Sequence, residues 1–240
     1  MSDRFPDAPV HVVTGATSGI GREVARLLTA RGDKVILPVR SEDRIDALAA
    51  QFPSHYSIPL LDLADADAVI EWAAGFSDGE PAITRLDSVV HCAGVVDVST
   101  VEDLDPASWL QTVAVNLTAP ALLTRGLLPQ LREAGGTVVF VNSGSGLRAN
   151  AQWASYNASK FGLRGFADAL RLEEAGHGVR VSTIYPGRTA TPMQQQVHEQ
   201  EGSPYDADAW IQPETVATEI VRVLDLGPDA TIPDLVIRPR

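Results

Sequence analysis

The sequence predicts an α/β protein, a single domain built on a doubly wound sheet of about seven parallel strands with helices on both faces. Short apolar stretches typical of strands alternate with longer amphipathic segments typical of helices. The strand-like stretches, for example TVVFV and VRVSTI, are apolar almost throughout, as expected of strands covered on both faces. A length of 240 residues is ordinary for one such sheet.

The predicted elements follow one another in the order that this architecture requires. Strands are predicted at 10–14, 34–39, 56–61, 87–92, 136–142, 179–185 and 234–238, and helices at 20–31, 43–51, 65–75, 106–132, 154–175 and 213–224. Strands separated by helices form parallel units with right-handed crossovers, and such sheets bind ligands at the carboxyl ends of their strands. The residues of interest that follow predicted strands are Gly15, Asp62, Gly94, Ser143 and Pro186.

A glycine-rich turn, TGATSGIG, joins the first predicted strand to the first predicted helix. Gly15, Gly19 and Gly21 would let the backbone turn tightly and approach a pyrophosphate, and the helix start offers free N–H groups. The G-x-x-x-G-x-G spacing differs from the G-x-G-x-x-G dinucleotide motif. Taken alone, the turn could also be purely structural.

The run YNASK places Tyr156 and Lys160 four residues apart, with Ser143 thirteen residues before the tyrosine. On a helix this spacing puts the phenol and the ammonium on one face. A free tyrosine has a pKa of about 10, and a nearby cation stabilises its phenolate, which makes it a usable proton donor or acceptor. A surface tyrosine and lysine on a helix would be the alternative for this run alone.

Together, the glycine turn, Ser143 and YNASK resemble the short-chain dehydrogenase/reductase family over almost the whole chain. The resemblance implies a Rossmann-type fold and reversible hydride transfer between a nicotinamide cofactor and a carbonyl or secondary alcohol. It implies that Ser143 hydrogen-bonds the substrate oxygen, that Tyr156 supplies or removes its proton, and that Lys160 lowers the tyrosine pKa and holds the nicotinamide ribose. Ser145 is a rival for Ser143, but the offset of Ser143 matches the family better.

Asn116, in VAVNLTAP, matches the asparagine that completes the family's catalytic tetrad by holding a water that links Lys160 to solvent. HCAG stands where the family usually has Asn-Asn-Ala-Gly, so Ala93 and Gly94 match whereas His91 and Cys92 depart from the pattern. We expect His91 to brace the sheet rather than to bind a ligand.

The resemblance also implies a set of cofactor contacts. These are Gly15, Thr17, Ser18, Gly19, Ile20, Gly21, Arg40, Asp62, Leu63, Ala93, Gly94, Tyr156, Lys160, Pro186, Gly187, Thr189 and Thr191. Asp62 would meet the adenine ring, although a helix N-cap is an alternative role. The turn beginning at Pro186 would hold the nicotinamide carboxamide, and a simple Pro-Gly turn is the alternative there.

The end of the second predicted strand, VILPVR, bears on the choice between the two nicotinamide cofactors. Enzymes that select NAD commonly place an acid there, whereas the phosphate of NADP needs a cation. Val39 occupies the acid's position and Arg40 follows it, which favours NADP(H), with Ser41 and Arg44 as helpers and NAD(H) as the alternative. Ser18 stands where many NADP-dependent relatives carry a second basic residue.

Composition narrows the partners. The net charge of −12 argues against nucleic acid or a membrane as partner, because both demand a basic surface. The single cysteine excludes an internal disulfide, and the five histidines show no metal-ligand spacing. No apolar run approaches about 18 residues, and the start, MSDRFPDAP, has no apolar signal core, so we expect a cytoplasmic protein.

Two longer segments carry further expectations. Residues 192–212 lack an apolar face and correspond to the family's mobile substrate lid, with a plain surface loop as the alternative. The helices at 106–132 and 154–175 carry apolar residues beyond one stripe, which favours a homodimer or homotetramer.

A catalytically idle dinucleotide-binding sensor or regulatory protein is the alternative function. An extended-branch epimerase or dehydratase would need a longer substrate domain.

Overall fold

A parallel sheet with helices on both faces forms the framework of the computed structural model, which describes residues 8–77 and 83–240. Its strands are β1 Val10–Thr14, β2 Lys34–Ile36, β3 Ser88–His91, β4 Thr137–Val141, β5 Arg180–Pro186 and β6 Asp234–Ile237. They pair in the order β2-β1-β3-β4-β5-β6, all parallel. The order reverses between β1 and β3, which creates a crevice at their carboxyl ends.

Eight α-helices flank the sheet within the described ranges. They are α1 Gly19–Ala30, α2 Asp43–Gln51, α3 Ala66–Ala74, α4 Pro106–Val113, α5 Ala119–Ala134, α6 Ala154–Glu174, α7 Pro192–Gln200 and α8 Pro213–Leu224. No described helix combines the length and apolar character needed to cross a bilayer. Most of the polar start MSDRFPDAP, on which the signal-segment prediction rests, lies outside the described residues.

Two apolar layers enclose the sheet because successive residues of a strand point to opposite faces. Val12 of β1 packs in the layer formed with α3, α5 and α6, and Val13 packs in the layer formed with α1, α2 and α8. Both side chains are fully buried, and burial of such a side chain contributes about 1.5–3 kcal/mol. The two layers hold the strand ends in fixed positions for the site described below.

The predicted strand at 56–61 is not a regular strand, so the sheet has six strands rather than about seven. The segment runs parallel to β2 and to the residues that follow it, but it pairs with them only at isolated bridges, Ile36 with Ser57 and Val39 with Leu60. Pro59 has no N–H to donate to a ladder, and Pro38 likewise interrupts the second strand, which ends at Ile36 instead of residue 39.

The helix predicted at 106–132 is divided in the structure. A π-helical turn, Ala114–Thr118, separates α4 from α5 and contains Asn116. Such turns insert one extra residue into the helical repeat and commonly occur at functional sites. The structure therefore places the predicted tetrad asparagine where the helix geometry is irregular.

The predicted segment without an apolar face, 192–212, is partly helical. Thr191 caps α7 by accepting a hydrogen bond from the Gln194 backbone N–H. Val197 and His198 are buried, so α7 does present an inner face to the protein.

Most of the apolar excess predicted for 106–132 and 154–175 is used inside the protein. Leu123, Leu127 and Leu163 are fully buried against the sheet. Phe161 and Leu172 on α6 keep 43% and 81% of their surface exposed. Phe161 and Leu172 are therefore the large apolar residues that α6 leaves at the surface, and self-association stays a prediction.

Candidate active site

A cleft of about 1400 Å³ opens at the carboxyl ends of β1, β3, β4 and β5. Every residue predicted to contact a cofactor lines this cleft, as do the predicted catalytic residues Ser143, Tyr156 and Lys160. Asn116 is buried behind the wall and is only 1% exposed. The fold thus gathers residues from seven segments of the chain at one edge of the sheet.

The glycine turn is closely packed against the neighbouring strand end. Gly15 adopts a left-handed φ of +71°, and a Cβ there would lie 2.8 Å from the backbone nitrogen of Ala93. A Cβ on Gly21 would lie 2.5 Å from the carbonyl oxygen of Gly15. Ser18, the N-cap of α1, makes no side-chain capping bond, so N–H groups of the first helical turn face the cleft without that partner.

Thr14, which is absent from the predicted contact set, ties the glycine turn to β3. Its Oγ1 accepts hydrogen bonds from the backbone N–H groups of Cys92 and Ala93, both at 3.1 Å. The sequence pattern that could have identified Thr14 is a hydroxyl residue at the end of a strand, directly before the first glycine of the turn. Its effect is to hold the ends of β1 and β3 together under the cleft.

Tyr156 and Lys160 lie in the first two turns of α6 and are both buried, with 7% and 4% exposure. The Lys160 ammonium donates a hydrogen bond to the Val141 carbonyl at 3.0 Å and lies 5.6 Å from the centroid of the Tyr156 ring. The Lys160 carbonyl accepts a hydrogen bond from Nδ2 of Asn142 at 3.0 Å. Lys160 is therefore held to the end of β4 through both its backbone and its side chain.

Asn142 is a second residue absent from the predicted site. It is 4% exposed, and its Oδ1 accepts a hydrogen bond from the Ser143 backbone N–H at 2.8 Å. It consequently positions both Ser143 and Lys160. The sequence feature that could have identified Asn142 is its position directly after an apolar strand and directly before the predicted catalytic serine.

Burial controls the ionisation of the two groups on α6. Desolvation lowers the pKa of the Lys160 ammonium to about 8. Burial raises the pKa of the Tyr156 phenol, and a hydrogen bond with Ser143 acts in the opposite direction. The sequence predicts that Lys160 lowers the tyrosine pKa. In the structure the net shift of the Tyr156 pKa is upward, because burial outweighs the interaction with Ser143; the contribution of Lys160 stays a prediction.

The two candidate serines occupy different environments. Ser143 caps the short 3₁₀ turn Gly144–Gly146, where its Oγ accepts a hydrogen bond from the Ser145 backbone N–H at 3.1 Å. The Ser143 hydroxyl also interacts with the Tyr156 phenol and acts to lower its pKa, whereas Ser145 does not. The Ser145 hydroxyl is buried and accepts a hydrogen bond from Asn150 Nδ2 at 3.1 Å. Ser143 is thus the serine that meets the phenol.

The Asn116 amide braces the floor of the cleft. Its Oδ1 accepts a hydrogen bond from the Val95 N–H at 2.8 Å, while Nδ2 donates to the Val95 carbonyl at 2.9 Å and to Ser159 Oγ at 3.1 Å. A Cβ on Gly94 would lie 3.3 Å from Asn116 Oδ1 and 4.0 Å from Lys160 Nζ. Gly94 therefore leaves space between the asparagine and the lysine.

His91 braces the sheet, as the sequence predicts. It is 3% exposed, stacks on Phe140 with a centroid separation of 5.0 Å, and shares a 2.8 Å hydrogen bond with Thr124 Oγ1. Burial lowers the pKa of its imidazole to about 3. Burial also raises the pKa of the neighbouring Cys92 thiol to about 12, so neither group ionises near neutrality.

The far end of the cleft, beyond β2, carries the residues predicted to choose the cofactor. Arg40 is exposed there and forms no ion pair within the ranges that the structure describes. Arg44 also lines the cleft, and its Nε lies 3.3 Å from Oδ2 of Asp43. Asp62 accepts a hydrogen bond from the Ala64 N–H at 2.9 Å. The N-cap of α3 is Asp65, so the alternative role of helix cap for Asp62 is wrong.

The turn after β5 is anchored to the segment that contains α7. Arg188 donates to both carboxylate oxygens of Glu201, at 2.9 and 2.8 Å, and its guanidinium lies 5.5 Å from the centroid of the Trp210 ring. Both Arg188 and Glu201 line the cleft. This ion pair holds the segment 192–212 beside the predicted nicotinamide end.

Comparison with known proteins agrees with this geometry. A family model described as short chain dehydrogenase matches residues 9–202. A 3β-hydroxysteroid dehydrogenase from Mediterraneibacter gnavus is 33% identical over 191 residues, which cover 78% of this chain and 68% of the relative. A variant of actinorhodin polyketide ketoreductase, solved with NADPH, is 27% identical with a TM-score of 0.86, covering 100% of this chain and 98% of its own. A metagenomic short-chain oxidoreductase, solved with NADP, is 30% identical with a TM-score of 0.80 and covers 97% of both chains.

Proposed function

Because the chain belongs to the short-chain dehydrogenase/reductase family of oxidoreductases, we propose that it transfers a hydride between NADP(H) and a carbonyl or secondary alcohol. The observation that carries this proposal is the meeting of Ser143, Tyr156 and Lys160 in one cleft. The serine acts to lower the pKa of the phenol, and the buried ammonium lies 5.6 Å from the centre of the phenol ring. That arrangement suits proton transfer to and from a substrate oxygen.

The residues at the β1 and β2 ends fit a dinucleotide. The backbone positions of Gly15 and Gly21 have no room for a Cβ, so the turn presents bare backbone to the cleft. The start of α1 adds N–H groups and the positive end of the helix dipole, which favour a pyrophosphate. NADP(H), which supplies or accepts the hydride when bound, is the cofactor of two of the similar solved structures.

Arg40 supports the choice of the phosphorylated cofactor. Its guanidinium is exposed at the edge of the cleft and has no acidic partner in the described parts of the chain. A free guanidinium can donate two parallel hydrogen bonds to a phosphate. The same strand end offers no carboxylate side chain that would bind ribose hydroxyls, since Val39 precedes Arg40.

In the direction of reduction, the phenol of Tyr156 donates its proton to the carbonyl oxygen while Ser143 donates a hydrogen bond to the same oxygen. The raised pKa of the phenol keeps this proton in place at neutral pH, which favours Tyr156 as the acid. The Lys160 ammonium then stabilises the phenolate and returns a proton, with replacement from solvent through a water held near Asn116. Oxidation of an alcohol runs through the same groups in reverse.

The substrate end of the cleft is bounded by the turn after Ser143 and by the segment 192–212, which we propose as the lid. The ion pair between Arg188 and Glu201 would hold the lid against the turn after β5.

Self-association through α5 and α6, with Phe161 and Leu172 at the contact, would brace the helix that carries Tyr156.

Steady-state kinetics with NADPH and a panel of ketones tests the proposal. We expect Tyr156→Phe to lower kcat by about 10² or more, since acid–base catalysis contributes roughly 10² to 10⁴, while the Kd of NADPH changes little. Ser143→Ala is expected to lower kcat by about 10², and its matched control Ser145→Ala to lower it far less. Turnover by Tyr156→Phe equal to that of the parent would refute the mechanism. NADPH binding without reduction of any carbonyl would favour the sensor alternative.

A further inference from the structure

The arginines that line the cleft have different surroundings. Arg188 is neutralised by Glu201, and Arg40 lies at the end beyond β2. Arg148 and Arg238 lie at the opposite end, and both are exposed. Neither side chain of this second pair forms a hydrogen bond or an ion pair within residues 8–77 and 83–240. Two uncompensated positive charges therefore border the region next to Ser143.

Arg238 lies directly over the turn that carries the candidate serine. It follows β6, and its guanidinium packs on Gly144, where a Cβ would lie 2.6 Å from Nη1 and 3.7 Å from Nη2. Any side chain at residue 144 would displace it. On the other side, Pro239 packs against Gly187, where a Cβ would lie 2.8 Å from its Cδ. The backbone around Arg238 is thus wedged between the turns that follow β4 and β5.

We propose that Arg238 binds an anionic group of the substrate, a carboxylate several bonds away from the carbonyl that is reduced. The inference rests on the proposed function and adds a substrate class to it. A guanidinium presents a planar pair of donors that matches a carboxylate. A protein of net charge −12 repels anions in general, so an anionic substrate requires a local cation such as this one. Arg148 adds a second positive charge on the same side.

The test compares matched pairs of ketones that differ only in charge: 5-oxohexanoate with 5-oxohexanamide, and 4-oxocyclohexanecarboxylate with its carboxamide. Ligand-observed NMR titrations with the protein and NADP⁺ measure the Kd of each probe without turnover. We expect the better-fitting carboxylate to bind about tenfold more tightly than its amide, the ratio that one charge-assisted hydrogen bond supports. KM values from NADPH-dependent reduction should show the same ratio.

Arg238→Gln should reduce the carboxylate preference to about one while the Kd of NADPH stays within about twofold. Arg240→Gln is the matched control, because it removes the same charge two residues away from a side chain that does not line the cleft, and it should keep the preference. Arg238→Lys keeps the positive charge but loses the two parallel N–H donors of the guanidinium, so it should keep part of the preference for the carboxylate.

Equal binding of carboxylates and amides in both pairs, or an unchanged preference in Arg238→Gln, would overturn the assignment. A loss of NADPH affinity in Arg238→Gln with no change in the probe ratio would assign this arginine to the cofactor instead and equally reject the proposal. Failure of the proposed function has a different signature, because binding ratios would persist while neither ketone of a pair is reduced.

Discussion

Replacing Gly21 by alanine tests how closely the glycine turn must pack. The added Cβ would lie 2.5 Å from the carbonyl oxygen of Gly15, whereas ordinary contacts begin near 3.4 Å, so the two would have to separate by about 0.9 Å. The obstacle is backbone rather than a flexible side chain, and Gly15 is itself closely packed, because a Cβ built on Gly15 would lie 2.8 Å from the backbone nitrogen of Ala93. The strain therefore cannot be relieved without moving the turn that faces the cleft.

Overpacking of this kind costs about 1–3 kcal/mol, and the better helix propensity of alanine returns only about 0.5–1 kcal/mol. We expect Gly21→Ala to lower the free energy of unfolding by about 1–2 kcal/mol and to weaken NADPH binding at least tenfold. Urea unfolding followed by circular dichroism and titration of NADPH fluorescence measure the two effects.

Gly176→Ala is the matched control for that substitution. Gly176 lies in the exposed 3₁₀ turn Ala175–His177, does not line the cleft, has no positive φ and has no atom within 4 Å of its Cβ position, so alanine should stabilise the protein by about 0.4–1 kcal/mol and leave the cofactor affinity unchanged. Native-like stability together with an unaltered NADPH Kd in Gly21→Ala would show that the reasoning about the turn is incorrect.

Three further predictions concern charge, pH and assembly. Arg40→Ala should weaken NADPH binding by about 1.5–3 kcal/mol and leave NADH binding little changed, as measured by fluorescence titration, and equal losses for both would reject Arg40 as the phosphate reader. Burial acts to raise the pKa of the Asp33 carboxyl, but hydrogen bonds from His11 and Arg31 lower it, so its contribution to stability is present above about pH 4 and is lost as the pH falls through the lowered value. Asp33→Ala should therefore unfold about 2–3 kcal/mol more easily at pH 7 and differ progressively less from the parent as the pH falls below about 4, whereas a deficit independent of pH would contradict this. Light scattering should give a dimer or tetramer rather than a 25.6 kDa monomer, and Leu172→Glu should dissociate it with loss of activity; a fully active monomeric parent would refute the assembly.

The parts of the site that lie within short segments could be predicted from the sequence. TGATSGIG and YNASK each hold their important residues in one short stretch of the chain, the first in a strand-to-helix turn and the second in one helix, so local spacing alone carries the geometry. The alternation of strands and helices then brings the segments to one edge of the sheet. Pro59 is also visible in the sequence, and as a residue without an N–H to donate it is the local signal that 56–61 cannot form a regular ladder.

Other parts depend on contacts that no local pattern encodes. The π turn at Ala114–Thr118 adds one residue to a helical repeat, which leaves the apolar pattern of 106–132 nearly unchanged. The upward shift of the Tyr156 pKa depends on how completely neighbouring segments cover the phenol. Arg238 reaches Gly144 only because β6 lies beside β5 in the sheet, and its position near the end of the chain gives no indication of that.

The double attachment of Lys160 to β4 has a consequence for efforts to move this chemistry into another protein. The ammonium donates a hydrogen bond to the carbonyl of Val141, the last residue of the strand, and the lysine carbonyl accepts one from the side chain of Asn142. A YNASK helix moved without its strand would lose both hydrogen bonds, and the lysine side chain would then be free to adopt other rotamers. The smallest portable unit is therefore the end of β4, the serine turn and α6 together, because the lysine is fixed only when the helix and the strand end are moved as one piece.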